Sequence, residues 1–423
     1  MSSVIDVTQL LNSFEHFGIN LGLERIQRSL HSLGNPEKSI PIAHVAGTNG
    51  KGSVCAYLSS ILAAAGYRVG RFTSPHLMDW TERICINNQP ISPERLLAVL
   101  EQVKAAIDPD QETPTQFEVI TAAGFLYFAQ EKVDIAVIEV GLGGRLDSTN
   151  VVDKPLVSVI TSIGMDHWQR LGSTLDLIAA EKAGILKQDC PAVIGEVPEL
   201  AAQAIQAKID EVNCPATWIR SAQRIDPPLN KVGDPTLAKY GDFEYSLPLL
   251  GDIQLHNSAI AIEAIYALRK QGWQITDEAL RTGIAQTKWA GRIEWRTWKN
   301  RQILTDGAHN GVAAAELRKY VDTLPQPITW VMGMLSTKDH QNVFKALLRT
   351  GDRLHLVPVG GHSSAKPSEL GMLAQLICPG LENCETHDTL PQALDQAIAT
   401  EQTIVLCGSL YLLGEFLGYE TQI

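Results

Sequence analysis

The sequence predicts an α/β protein of two successive units, a mostly parallel sheet over residues 1–288 and a smaller α/β unit over 289–423. Three observations carry this expectation. Short apolar runs alternate with stretches of helical period along most of the chain, the pattern of parallel strands covered by helices on both faces. A glycine-rich turn, Gly47-Thr48-Asn49-Gly50-Lys51-Gly52-Ser53, lies between one such run and one such helix. The alternation loosens into Pro, Gly and Asp over 227–250 and restarts after 288–291, which sets the boundary.

Taken in order, residues 1–38 read as a helical lead-in. Leu10, Leu11, Phe14 and Phe17 form one apolar stripe and Leu23, Ile26, Leu30 and Leu33 another, both spaced for a core face. Residues 40–46 are apolar and bounded by Pro41, as a buried strand would be, and 53–65 repeat apolar residues at helical spacing until Gly66. Further strands are expected at 68–73, 133–140, 156–163 and 192–197, with helices near 93–107, 117–131, 174–187 and 198–212. Residues 243–247 alternate as an antiparallel edge or an insertion would, and helices return at 257–271 and 276–286. In the second unit, strands at 293–297, 302–305, 329–334, 353–359 and 403–407 alternate with helices near 310–322, 339–348, 367–376, 390–399 and 409–416. There is no repeat of solenoid period and no low-complexity tract.

A length of 423 residues suits two or three domains, and 45% hydrophobic with 19% charged residues describes an ordinary globular chain. The net charge of -12 argues against a broad surface for nucleic acid or anionic membrane, while leaving room for a local basic pocket. Seven cysteines, odd in number and never spaced C-x-x-C, do not make a disulfide framework or a zinc site, and a reducing cytosol fits them. No apolar run approaches membrane-span length, and the first basic residue is Arg25, after Asp6 and Glu15. The expectation is therefore a cytoplasmic protein with neither signal nor transit peptide.

At a strand-to-helix turn, bare backbone N–H groups and the positive end of the helix dipole can cradle phosphates. Lys51 can then reach a terminal phosphate and a hydroxyl can touch magnesium. The strict G-x-x-x-x-G-K-[ST] pattern fails, with Val45 at the first glycine position and Gly52 after Lys51, so that the hydroxyl moves to Ser53. Any α/β protein can hold a Gly-rich turn; the lysine and the flanking elements favour nucleotide phosphates.

Ligands of parallel sheets sit beyond the carboxyl ends of the strands. Ser74-Pro75-His76, Glu139, Asp166-His167 and, on the next helix, Glu181-Lys182 stand at or near such places. Ser74 and Glu139 offer the oxygen ligands a hard cation wants, and His167 a less usual nitrogen; each alone equally suits a cap or a satisfied polar residue. Lys182 could simply snorkel to solvent. The stretch Gly141-Leu142-Gly143-Gly144-Arg145-Leu146-Asp147 fails as a dinucleotide fingerprint at Leu146 and reads better as a substrate loop. Arg292 could reach phosphates and Asp306 could accept from ribose hydroxyls; an ion pair and a helix N-cap fit those two equally well.

In their order, these motifs resemble the Mur ligase superfamily and, within it, the folylpolyglutamate synthase/dihydrofolate synthase family. The glycine turn, Ser74-Pro75-His76, Thr81-Glu82-Arg83, Thr115-Gln116-Phe117-Glu118 and the run Glu139 to Asp147 carry the resemblance. So do Asp166-His167, Glu181-Lys182-Ala183-Gly184, Asn257, Gly291-Arg292, Asp306-Gly307-Ala308-His309-Asn310 and the tail Cys407-Gly408-Ser409-Leu410-Tyr411.

The resemblance implies a P-loop-type, mostly parallel N-terminal ATPase domain and a smaller Rossmann-like C-terminal glutamate ligase domain. The implied activity is ATP-dependent ligation of L-glutamate to dihydropteroate and to reduced folates through an acyl phosphate, with ATP and Mg2+. ATP would be held by Gly47, Thr48, Asn49, Gly50, Lys51, Gly52, Ser53, Asn257, Arg292, Asp306 and His309, and magnesium by Ser74, Glu139 and His167. Lys51, His167 and Lys182 would act in catalysis, the last as a carbamate. Arg83, Thr115, Phe117, Asp147 and Ser148 would meet the pterin or folate.

Two departures stand out: Ser148, where bifunctional members often have alanine, and Ile253-Gln254-Leu255-His256 before Asn257. Only 46 residues precede Gly47, fewer than the uridine-nucleotide domain of a peptidoglycan Mur ligase, which favours the folate branch. Small-molecule partners are expected, with no nucleic acid and no membrane, in a monomer. A monofunctional synthase and a non-enzymatic ATP-binding switch remain as alternatives; a switch would explain the turn but not the set Glu139, His167 and Lys182.

Overall fold

A computed structural model describes residues 6–14, 20–225 and 235–420. The chain divides into two compact units, one of residues 1–223, 238–246 and 256–287, the other of 224–237, 247–255 and 288–423. A single boundary at 288 would place 224–237 and 247–255 with the first unit; they group with the second.

In the first unit the strands are β1 (Ile42–Ala46), β2 (Val69–Phe72), β3 (Ile84–Ile86), β4 (Gln89–Pro90), β5 (Ile135–Glu139), β6 (Val157–Ile160), β7 (Ala192–Ile194) and β8 (Ala216–Trp218). They form one sheet in the order β4-β3-β2-β5-β1-β6-β7-β8. All pairings from β2 to β8 are parallel, and β1, β5 and β6 are buried along their length, which is why each reads as a continuous apolar run. Val45 pairs with both Glu139 and Val159, so the three central strands end level and the loops at 47–50, 140–147 and 161–167 leave the sheet together.

Two sheet edges escaped sequence reading. β3 and β4 extend the sheet antiparallel beyond β2, after a 3-10 turn Trp80–Arg83 with a capping box between Asp79 and Glu82. At the other edge β8 is three residues long with Trp218 exposed. Runs this short carry no readable period.

Two expected strands also end early. The run 156–163 stops at Ile160 because residues 161–164 turn away to hold the glycine turn, and 192–197 stops at Ile194. Leu10, Leu11 and Phe14 are buried as their spacing implied, as are Ile26 and Leu30; Phe17 lies outside the described residues, as do 226–234.

The stretch 243–247 takes the antiparallel option. It is β11 (Phe243–Leu247), paired through a two-residue turn with β10 (Thr236–Tyr240), which pairs in turn with β9 (Gln223–Arg224).

The second unit holds β12 (Glu294–Trp298), β13 (Arg301–Thr305), β14 (Ile328–Met332), β15 (Arg353–Leu356), β16 (Asn383–Thr386) and β17 (Thr403–Cys407), ordered β12-β13-β17-β14-β15-β16. Only the β12–β13 hairpin is antiparallel. Its core centres on fully buried Trp330 and Phe344, and the Trp330 indole N–H donates to Asp352 at 3.0 Å. β16 was not foreseen, being a polar, half-exposed edge strand. Among the described residues no helix is long and apolar enough to cross a membrane.

Candidate active site

The glycine turn joins β1 to the helix Lys51–Ala64, whose N-cap is Gly50 at φ +86°, a conformation costly for any residue with a Cβ. A Cβ at Gly50 would also come within 2.4 Å of the Asn257 amide oxygen, and one at Gly47 within 1.9 Å of the Thr161 hydroxyl. The turn is tied to the segment after β6. Thr48 N–H donates to the Ser162 carbonyl at 2.8 Å, Asn49 N–H to the Ser162 hydroxyl at 3.0 Å, and the Thr161 hydroxyl to the Asn49 carbonyl at 2.7 Å. The Thr48 hydroxyl donates to the Gly164 carbonyl and accepts from the Gly164 N–H. Gly52 and Ser53 are buried in the first helical turn.

Two lysines meet at this turn. Lys51 folds back so that Nζ donates to the carbonyls of Gly47 at 3.1 Å and Thr48 at 3.2 Å. Lys182, on the helix Leu175–Ala183, is 5% exposed and donates to the same Gly47 carbonyl at 3.0 Å. It does not snorkel. Burial, and then the neighbouring charge of Lys51, pull its pKa from 10.5 down to about 7.

The helix is set at this depth by the loop after β5. Arg145 N–H donates to the Glu181 carbonyl at 2.7 Å, its guanidinium pairs with the Glu181 carboxylate at 2.8 Å, and the Asn150 amide donates to the Gly184 carbonyl at 3.1 Å.

Of the magnesium candidates, Ser74 and Glu139 come together. Glu139 closes β5 at 4% exposure and accepts from the Ser74 N–H at 3.1 Å. His167 follows β6, on the other side of β1, in the left-handed region at φ +51°, with its side chain 46% exposed. Its N–H donates to the Asp166 carboxylate.

The residues expected to meet a pterin are mostly braces. Thr115 caps the helix Gln116–Gln130 in a capping box with Glu118. Phe117 lies over Gly141, where a Cβ would come within 2.4 Å of its ring. Arg83 donates to His76 Nδ1 at 2.9 Å and sits 4.3 Å from the centre of the Trp80 ring. Ser148 is buried in the 3-10 turn Ser148–Val151.

The Asp147 carboxylate is held in its own loop. One oxygen accepts from both the N–H and the hydroxyl of Thr149, at 3.0 and 2.5 Å, and the other from the Leu142 N–H at 2.8 Å. The residue is 3% exposed, and burial pushes its pKa up against those bonds.

Asn257 is 2% exposed and reaches Gly50 from the helix Ile253–Lys270. In the second unit, Asp306 follows β13 and accepts from the backbone N–H groups of Ile293 at 2.9 Å and Ala308 at 2.8 Å; burial raises its pKa while Arg292 opposes. The Arg292 guanidinium donates to the Gly291 carbonyl, and His309 Nδ1 lies 2.8 Å from the Gly307 carbonyl. Asn310 caps the helix Gly311–Val321.

Sequence reasoning missed two supports. His256 Nε2 lies 2.9 Å from the Thr161 carbonyl and its Nδ1 3.2 Å from the Ser221 hydroxyl. His44, fully buried in β1, places Nε2 2.9 Å from the Thr149 hydroxyl and so extends the Asp147 network; burial holds its pKa at about 3. The one available signal was a histidine inside an apolar strand.

The family described as Mur ligase middle domain matches residues 45–265, and that described as dihydrofolate synthetase, C-terminal domain, matches 292–419. A Bacillus subtilis protein named dihydrofolate synthase/folylpolyglutamate synthase is 36% identical over 94% of this chain and 95% of its own. A Lacticaseibacillus casei folylpolyglutamate synthase is 37% identical over 95% of both. Among solved structures, Mycobacterium tuberculosis folylpolyglutamate synthase complexed with ADP and AMPPCP superposes with TM-score 0.87 at 30% identity, covering 97% of this chain and 98% of that one. E. coli FolC in complex with DHPP and ADP gives 0.84 at 31%, covering 98% and 97%. Likeness of this depth along nearly the whole sequence means that the chain belongs to the dihydrofolate synthase/folylpolyglutamate synthase family of Mur ligases.

Proposed function

We propose that this chain is an ATP-dependent carbon–nitrogen ligase that joins L-glutamate to dihydropteroate and to reduced folates. The observation that carries the reading is the shared acceptor at the head of the glycine turn: Lys51 and the buried Lys182 both donate to the Gly47 carbonyl. Two amines around one strained turn at the end of a parallel sheet make a site for a polyphosphate. The names of the relatives, and the ADP and AMPPCP in their structures, support it.

In this reading ATP phosphorylates the substrate carboxylate, giving an acyl phosphate and ADP. The amine of glutamate then attacks the carbonyl carbon, the C–O bond to phosphate breaks, and the amine proton leaves to solvent. Residues 47–53 hold the phosphates, with the backbone N–H groups of 50–53 donating to them, and Lys51 swings from the carbonyls it now contacts onto the transferring group. Asn257, whose amide stands beside Gly50, contacts the nucleotide there.

Arg292, Asp306 and His309, in the C-terminal glutamate ligase domain, are the nucleotide-contacting residues of that unit. Arg83, Thr115, Phe117, Asp147 and Ser148 shape the folate site, with the Phe117 ring as a stacking face and the Asp147 carboxylate as an acceptor for pterin N–H groups.

The buried Glu139 carboxylate beside Ser74 is an oxygen-rich pair that fits magnesium, with His167 as the third contact. Magnesium, when bound, neutralises charge on the phosphate oxygens. Lys182, with a pKa of about 7, has a substantial neutral fraction at physiological pH, able to attack carbon dioxide. A nitrogen–carbon bond forms, one proton leaves the nitrogen, and the neutral amine becomes a carbamate anion. We place the enzyme as a monomer in a reducing cytoplasm, a setting that suits seven free cysteines, six of them buried.

The test is a side-by-side assay of dihydropteroate and tetrahydrofolate with magnesium and ATP. ADP formation that depends on glutamate with both is the expected result. Dependence with one alone makes the enzyme monofunctional, and ATP turnover indifferent to glutamate and acceptor makes it a switch.

A further inference from the structure

A cluster unconnected with the glycine turn lies at the free edge of the second unit's sheet. β16 pairs in parallel with β15 so that His355 stands beside Glu385. Side chains alternate along a strand, so Glu385 and His387 share the face that His355 occupies. The three ligand atoms draw together: His355 Nδ1 is 2.9 Å from His387 Nε2, and the Glu385 Oε2 atom is 3.8 Å from each.

We infer that His355, Glu385 and His387 form a binding site for one divalent transition-metal cation, zinc by ligand type, that fastens the edge strand β16 to β15. The geometry is close to what zinc asks. Metal–ligand bonds of about 2.0–2.1 Å at a tetrahedral angle separate ligand atoms by about 3.3 Å. The observed edges of 2.9, 3.8 and 3.8 Å bracket that value, so shifts of about half an ångström close the site.

Both imidazoles are largely buried, and a neutral imidazole is the ligating form. The other Glu385 oxygen accepts from the Asn383 amide at 2.7 Å, which aims Oε2 at the histidines as a supporting contact should. Arg353, the nearest cation on β15, is paired with Glu382, so its charge is offset. Glu385 is 46% exposed, leaving an entry path and a fourth position for water. Without metal the two rings hydrogen-bond to each other, and among the described residues His355 Nε2 is buried without a partner.

The experiment titrates the full-length protein with Co2+ and then Zn2+, magnesium and ADP being saturating so that the nucleotide site is occupied. About one equivalent should bind, with the visible bands of four-coordinate cobalt displaced by zinc. Glu385→Gln and His387→Gln should each weaken binding at least about tenfold. Glu385 is half exposed, so its variant keeps its circular dichroism and remains informative if His387→Gln fails to fold. Unchanged affinity in the folded Glu385→Gln protein, no binding by the parent, or a sulfur-to-cobalt charge-transfer band placing a cysteine in the shell would each overturn the site.

Discussion

Lys182 shows how much a single residue's environment decides. Its amine is bound by one carbonyl and otherwise enclosed, so the protonated form is disfavoured. Below pH 7 the folded and unfolded chains both carry the proton, and the folded chain alone bears the full cost of burying a cation. Between about 7 and 10.5 only the unfolded chain holds it, so this residue's destabilisation fades as pH rises. In bicarbonate-free buffer Lys182→Met should therefore raise the melting temperature, most below pH 7 and less above it, while turnover falls; a lower melting temperature at pH 6 would show that the amine is not buried as a cation. Lys51→Ala should cut kcat by about 100-fold or more, with the melting temperature little changed. Asp147→Ala removes three acceptor contacts inside one loop, and should slow dihydropteroate use more than tetrahydrofolate glutamylation; equal losses would assign the carboxylate to the loop alone.

At the scale of elements, the site is a turn that three loops hold in place. Gly47→Ala drives a methyl into the Thr161 hydroxyl, and since Thr161 also carries the Asn49 carbonyl, the whole turn must shift. The expected signature is a raised KM for ATP, measured at saturating folate and glutamate, with modest loss of stability. Gly283 differs in kind. It lets the helix Asp277–Ala285 pack on the helix Lys51–Ala64, where a Cβ would stand 2.3 Å from Ile61 Cα. Gly283→Ala should therefore destabilise the first unit without touching any residue of the site. The main elements were legible because the helices repeat apolar residues at helical spacing and the central strands are short continuous apolar runs. β3, β4, β8 and β16 were not, because two to four residues at an exposed edge have no period to read.

At the scale of the molecule, two units with separate cores should not unfold as one. Calorimetry is expected to show more than a single two-state transition. Trp330→Ala should lower the transition of the second unit by about 3–5 kcal/mol, since it empties a packed core and removes one of the donors to the Asp352 carboxylate.

The sequence alone determined which residue types stand at strand ends and that a lysine follows the glycines, because burial pattern and turn chemistry are local. It could not determine that Lys182 bonds a carbonyl 135 positions away, that Asp147 accepts from Thr149 and Leu142, or that His355 faces His387. Those depend on strand order and register, which bring together residues far apart in the chain, and on the exclusion of water, which resets the charge of whatever is enclosed.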